Sequence, residues 1–418
     1  MHCYGYERNT TPNLDRYATE GILFKNAFTN APYTTASIFS LLTSTYPLIN
    51  IKEKPDIQKN QSLAEIFKNA GFFTIGVHSN PWFDIFRFNH GFSEFVDPLK
   101  KSKKNNGVTP FAQSEDLNAE VMSIIQNSPE IRDGQRSFLW VHYMDVHNPY
   151  DPKKYFFGPV LEESEVRRLE ELRRKFPSDT TGNEKGLIID LYDNCIRNLD
   201  EQIFSLITAI GEIWDPQSTV VVITSDHGDA FNEKGAYGHG GEGRPIHMYD
   251  YMLHVPLIIW SPSEDLLFTG TGKHGGSVSD NLMGLVDLAP LILDLMQIKK
   301  PRTFMGQNPL SSHPQRSWVF SQGVQVEHPN NIEEMQTGTL ISSLRTETLK
   351  LIRNSGNDEL YDLKTDPNEQ KNISGTARET YTEISHTMDI IISDLGALSR
   401  KNTMGTAIDR IKNLIQQR

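Results

Sequence analysis

The chain has 418 residues, 37% of them hydrophobic and 22% charged, a globular composition large enough for one big domain and a smaller one. A net charge of −12 excludes non-specific nucleic-acid binding, which needs basic surface, and obliges any anionic substrate to find a local cationic centre. No apolar run reaches the roughly 18 residues of a membrane span.

In chain order, Thr11 to Gly21 reads as a Pro-initiated helix closed by glycine, and Ile22 to Phe28 as a strand. Thr34 or Thr35 opens the apolar helix SIFSLLTS. Ser62 to Gly71 is a short helix and Phe72 to Val77 the strand after it, ending near His78 and Asn80. Lys100 to Asn106 is a solvated loop, Ser137 to His142 a buried strand, and Glu162 to Lys175 a charged surface helix. Leu191, Cys195, Leu199, Ile203, Leu206 and Ile210 share one face of a long helix that leads into Val220 to Thr224, the composition of a buried strand. Val255 to Trp260 is another strand and Val286 to Ile298 an apolar helix. This alternation indicates an α/β layered fold with a largely parallel sheet. Beyond it, Trp318 to Ser321, Thr339 to Arg345, Leu349 to Arg353 and Leu360 to Leu363 suggest a small antiparallel sheet. Two helices follow, one with Ile384, Met388, Ile391 and Leu395 on a face, the other with Ile408, Ile411 and Ile415.

Three clusters carry chemistry. Asp226 and His227 lie just past the Val220 strand, at the strand end where open α/β sheets place ligands, with His239 in the glycine-rich loop beyond. A carboxylate and an imidazole suit a divalent metal, calcium, manganese or zinc, although an Asp capping a strand-end turn gives the same triplet. Thr34 at a helix start is placed to attack an anionic ester, whose oxygens the free N–H groups and dipole favour; an ordinary Thr cap is the plainer alternative. His142, Asp145 and His147 follow a strand as a pocket wall, in which His147 could bind a substrate oxygen or protonate a leaving group and His142 reads as structural. His78 is balanced between site rim and packing.

TPNLDRYATEGILFKNAF, APYTTASIFSLLTSTYP, FLWVHYMDVHNPY, YDNCIRNLDEQI, TSDHGDAFNEKGAYGHGG and LYDLKTDPNEQKNI, in this order, resemble the sulfatase branch of the alkaline phosphatase superfamily. GFFTIGVHSNPWF occupies the place of another family block. The resemblance implies an alkaline-phosphatase-like central, mostly parallel sheet flanked by helices, with a smaller C-terminal domain of antiparallel sheet plus helix. It places the catalytic α/β domain at 1–308 and the C-terminal subdomain at 309–418. It implies hydrolysis of a sulfate or phosphate/phosphonate ester through a metal-activated nucleophile, with one divalent metal ion (calcium, manganese or zinc). Thr34 falls at the nucleophile position, Asp226 and His227 at metal-ligand positions with Thr34 beside them. His147 and His239 fall where the family binds the transferred group, with His78 and Asn80 as further substrate contacts. The substrate implied is a small anionic ester, possibly on a glycan or lipid, with no nucleic acid and no membrane span.

Two departures matter. Sulfatases mature a Cys or Ser in C/S-x-P-x-R to formylglycine; here Thr34, Ala36 and Ile38 stand in that frame, so formylglycine is excluded and the site resembles the phosphoester, phosphonate and phosphoglycerol-transfer members. The family's opening strand with its Asp ligands is absent before CYGY, and the expectation is a start codon lying upstream of Met1. The alternatives are a phosphoglycerol- or phosphoethanolamine-type transferase, and a catalytically inactive binding relative. Cys3 and Cys195 alone, with no visible signal peptide, point to the cytoplasm and make the Asn9, Asn60 and Asn372 glycosylation triplets chance.

Overall fold

A computed structural model describes residues 1–50, 61–101, 109–241, 243–271, 274–311 and 316–400. The expected helix at 408–415, Asn60 of its triplet and residues 102–106 of the 100–106 loop lie outside the described residues.

In chain order the strands are β1 Ile22–Phe24, β2 Ala27–Phe28, β3 Phe73–His78, β4 Glu94–Val96, β5 Ser137–His142, β6 Val221–Thr224, β7 Ala230–Phe231, β8 Tyr237–Gly238, β9 Leu257–Trp260, β10 Ser277–Ser279, β11 Met283–Gly284, β12 Trp318–Gln325, β13 Thr339–Thr346, β14 Leu349–Arg353 and β15 Glu359–Asp362. β3 pairs in parallel with both β4 and β5, in a register that sets His78 opposite His142. A second sheet has the order β10-β1-β9-β6. The α/β layering is as the sequence indicates, with one difference: β9 runs antiparallel to both β1 and β6. The reason is the connection. After β6 the chain stays at one end of the sheet, building the loops that hold Asp226, His227 and His239, and enters β9 from that end without the crossover helix a parallel return requires.

β3 is buried throughout, whereas β5 and β6, both read from their composition as buried, are half-buried. Each closes one side of its sheet, so a hydrophobic run that reads as central sits here on an edge.

The Gly182–Gly211 helix starts with a capping box in which Thr181 and Glu184 satisfy each other's backbone N–H groups. It buries Leu191, Cys195, Leu206 and Ile210. The C-terminal sheet is an antiparallel meander, β12-β13-β14-β15. The Arg378–Arg400 helix buries Ile384, Met388, Ile391 and Leu395 against Phe320, Leu344 and Leu351 of that sheet. No helix among the described residues is long and apolar enough to cross a membrane.

Candidate active site

The Thr34–Thr43 helix is buried along its whole length, and Thr34 is its first residue after the extended Tyr33. Such a helix start leaves backbone N–H groups without intrahelical partners, an electropositive end suited to an anion. Ser37 fixes the helix to the Asp226 loop by donating its hydroxyl to the Asp226 carbonyl at 2.6 Å. At the far end Ser44, where the family pattern has glycine, adopts φ 51°, ψ 43°. Its hydroxyl offsets the strain by donating to Val286 O at 2.7 Å and accepting from Gly306 N at 3.0 Å.

Past β6, Gly228 lets the loop press against its neighbour: a Cβ there would come 2.1 Å from Tyr251 O, and Gly228 N donates to Met252 O. This pins His227. Its Nδ1 lies 2.8 Å from Gly228 O, and since a carbonyl only accepts, Nδ1 carries the proton. Nε2 is left with a lone pair, 3.2 Å from Thr34 Oγ and 3.5 Å from Asp226 Oδ2. Burial works against the Asp226 carboxylate, but His227, His142, the Thr34 hydroxyl and His239 together hold it below the usual range.

The His239 ring is 4.6 Å from the His227 ring and 5.2 Å from that of His147, so three imidazoles run in a row that starts beside Thr34 at His227. His147 Nδ1 is 2.6 Å from Asn148 O, which directs its unprotonated Nε2 away from the backbone. Burial, aided by His239, lowers the His147 pKa to about 4. Burial also lowers His239, against the pull of Asp229.

The structure therefore brings together Thr34, Asp226, His227, His239 and His147. It engages His78 and Asn80 differently. His78 accepts from Asn80 N, packs between Phe83 and Phe95, and is pushed down to about 4 by burial. Asn80 accepts from Trp82 N and donates to Met144 Sδ. Asp145, read with the pocket wall, accepts from Ser114 N and Oγ at the start of the Ser114–Asn127 helix.

Two residues of the site escaped the sequence reading. Asp229 sits 3.5 Å from His239 Nδ1 and accepts from the Tyr150 hydroxyl at 2.8 Å. Arg173, on the helix expected to lie on the surface, is 1% exposed and stands 3.9 Å from Asp229 Oδ2. Burial alone would raise the Asp229 carboxyl, yet His239, Arg173 and Tyr150 bring it well below its usual range. The signal for Asp229 was its place directly after the Asp-His-Gly triplet; for Arg173 it was a helical stripe with Val166 and Leu169, both buried.

The donor types fit a divalent cation: a carboxylate oxygen, an imidazole nitrogen with its lone pair exposed, and a hydroxyl converge, enough to hold one face of it. Among the described residues no cluster of three or more His, Cys, Asp or Glu side chains suits a metal.

A family model described as Sulfatase matches residues 1–298, and another described as N-sulphoglucosamine sulphohydrolase, C-terminal, matches 244–397. An arylsulfatase of Clostridium perfringens is 25% identical, over 97% of this chain and 94% of that protein. A Delta 4,5-hexuronate-2-O-sulfatase of Bacteroides thetaiotaomicron is 23% identical, over 89% of this chain and 81% of its own. Among solved structures, a complex with D-glucosamine-2-N,6-O-disulfate superposes with a TM-score of 0.71 at 18% identity, covering 96% of each chain. A phosphonate monoester hydrolase of Agrobacterium radiobacter superposes with a TM-score of 0.71 at 17% identity, covering 95% of this chain and 92% of that one.

Proposed function

Because the chain belongs to the sulfatase family of ester hydrolases, we propose that it cleaves a small sulfate or phosphate/phosphonate monoester with unmodified Thr34 as the nucleophile. The observation that carries this reading is the Thr34 hydroxyl at a buried helix start, 3.2 Å from the lone-pair nitrogen of His227, with the rings of His239 and then His147 in contact beyond it. The helix N–H groups receive the ester's anionic oxygens, and the hydroxyl attacks in line, forming its bond to the transferred group as the bond to the alcohol oxygen breaks, its proton passing to His227 Nε2 and from there to the departing alcohol. His227 Nε2 and Asp226 orient the Thr34 hydroxyl. His239 and His147 contact the transferred oxygens or the leaving oxygen, with Asp229 setting the His239 ring. A divalent cation on Asp226 and His227 would supply Lewis acidity that lowers the hydroxyl's pKa.

The threonine bears on which ester is cleaved. A phospho-threonine can be hydrolysed by water attacking phosphorus, whereas sulfate release in formylglycine enzymes uses a hemiacetal that Thr34 cannot form. This favours phosphate or phosphonate esters over sulfate esters. At 5% exposure Thr34 is shielded from bulk water, which suits a nucleophile that must meet its ester in a closed pocket. The test is turnover of phenyl phosphonate, phenyl phosphate and phenyl sulfate monoesters by wild type and Thr34→Ala, with manganese, zinc or calcium added. Loss of at least a thousandfold in kcat/KM with the fold intact is expected; turnover retained by Thr34→Ala overturns the assignment.

A further inference from the structure

Thr35, one residue past the nucleophile, directs its hydroxyl at a distant part of the chain. It is buried and donates at 2.8 Å to Asn330 Oδ1, 295 residues further on. Successive residues of an α-helix point about 100° apart, which lets Thr34 face His227 while Thr35 faces the segment between β12 and β13. That segment holds the helix start on both sides of Thr34, since Met335 Sδ accepts from the Tyr33 hydroxyl at 3.9 Å. The segment is itself a closed turn. His328 N donates to Glu334 Oε2 at 2.8 Å, and Asn331 Oδ1 caps the Ile332–Thr337 helix by accepting from Glu333 N and Glu334 N. It also touches the loop after His239: a Cβ at Gly241 would come 2.8 Å from Glu327 O and from Pro329 Cδ. Gln325, last in β12, holds both backbone groups of Ile246, donating to its carbonyl at 2.8 Å and accepting from its N–H at 2.9 Å.

We propose that Asn330 is a positioning residue for the ester cleavage: through Thr35 it fixes the rotation of the first helical turn, and so the place of the Thr34 hydroxyl beside His227 Nε2. The inference rests on the hydrolase reading above. A first turn is the least constrained part of a helix, because its N–H groups have no intrahelical partners. Two side-chain bonds lock it here. Ser37, three residues on and so close to the Thr34 face, holds the Asp226 carbonyl, and Thr35 holds Asn330 on the neighbouring face. The Ser37 bond acts as a pivot, and losing the Asn330 bond frees a roll about it. Cα atoms lie about 2.3 Å from the helix axis and a threonine hydroxyl roughly 4 Å from it, so a roll of about 15° moves Thr34 Oγ by about 1 Å. From a 3.2 Å contact that displacement breaks the hydrogen bond to His227. A misplacement of about 1 Å can cost about a hundredfold in rate. A neutral carboxamide suits the position better than a carboxylate, whose charge beside the helix start would oppose the anionic ester.

Two measurements on the full-length protein test this. In turnover of phenyl phosphonate, Thr35→Val and Asn330→Leu are each expected to lower kcat about ten- to a hundredfold with KM within about twofold of wild type. The double variant should fall no further than the worse single one, because both changes remove the same contact. Thr35→Ser keeps the hydroxyl and should retain kcat; Asn330→Asp keeps the acceptor and adds a charge, and should retain kcat while raising KM. Nitrogen-15 NMR of the histidine rings is the second measurement and needs no substrate. The His227 Nε2 resonance, assigned by its loss in His227→Gln, should shift in Asn330→Leu and Thr35→Val and stay in place in Thr35→Ser. Ser44→Ala, at the far end of the same helix, is the structural control, expected to lower the melting temperature and leave that resonance unmoved. Losses that multiply in the double variant overturn the proposal. So does a folded Asn330→Leu protein with kcat and the Nε2 resonance unchanged, or a resonance that Ser44→Ala moves equally. A shifted resonance in a protein that turns over no phenyl ester, or whose turnover survives Thr34→Ala, upholds the role of Asn330 and removes the hydrolase reading. Turnover lost in Thr34→Ala but untouched in Asn330→Leu does the reverse.

Discussion

Arg173→Met isolates a charge whose worth follows from the geometry. The guanidinium is 1% exposed, and none of its nitrogens makes a hydrogen bond among the described residues. It lies 3.9 Å from Asp229 Oδ2 and 3.4 Å from Glu170 Oε2, with its carbon 4.9 Å from the centre of the Tyr150 ring and 5.8 Å from that of Tyr237. At an effective dielectric constant of about 20, one unit pair at that Asp229 distance attracts by roughly 4 kcal/mol. Taking away the cation leaves the buried Asp229 carboxylate supported by Tyr150 and His239 alone, a change of the kind that costs about 3–5 kcal/mol. Arg173→Lys keeps the charge and loses chiefly the ring contacts, about 1 kcal/mol. Urea unfolding at pH 7 should therefore rank wild type above Lys above Met, with the Met variant lower by about 3 kcal/mol or more. Since Asp229 sets the His239 ring, kcat/KM for a phenyl ester should fall in the same order. A Met variant as stable as wild type would refute the charge argument, and a Lys variant as damaged as Met would show that guanidinium shape, not charge, is what matters.

Three further outcomes follow from other buried groups. Burial pushes the Asp145 carboxyl up to about 6 despite its bonds from Ser114. The folded state then binds more protons than the unfolded one between about pH 4 and pH 6, so this group's contribution to stability declines as pH rises through that window. Asp145→Asn, which keeps an acceptor for Ser114, should flatten the decline and stabilise the protein at pH 7 by up to about 3 kcal/mol; parallel stability–pH curves for the two proteins would contradict this. Lys350, fully buried, sits 2.7 Å from both Asp250 Oδ1 and Glu369 Oε1, and joins β14 to the segment leading out of the site. Lys350→Met should cost about 3–5 kcal/mol and lower the melting temperature by roughly 4–6 °C, with Arg345 still pairing Asp250; a shift below about 1 °C would be incompatible with the pairing. Ser44→Ala, which leaves Val286 O and Gly306 N without the hydroxyl, should destabilise by about 1–3 kcal/mol in the same melting assay, and an unchanged melt would remove that role.

The sequence carried the elements whose signal is local. The runs that become β3, β5 and β6 and the periodic face of the Gly182–Gly211 helix were legible, and so were the polar residues at strand ends that become His147, Asp226 and His227. What was not legible depends on tertiary choice. Composition could not separate an edge strand from a central one, so β5 and β6 read as fully buried. The direction of β9 was set by the site loops before it, which look like any Gly-rich connection. Arg173 shares a helix with many exposed charges, and nothing local marks it as the one that turns inward to Asp229. His78, Asn80 and Asp145 are polar residues next to a strand end or helix start, and whether such a residue faces substrate, an aromatic cluster or a helix cap is decided by partners far away in the chain.

The central claim is that Thr34 forms a covalent bond to the transferred group. The direct measurement is peptide mass spectrometry of enzyme quenched in acid during turnover of a phenyl phosphonate or phosphate monoester. An adduct of the phosphonyl or phosphoryl group is expected on the 33–44 region, localised to Thr34 and absent from Thr34→Ala. An adduct on another residue, or steady turnover with Thr34 unmodified throughout, would contradict it.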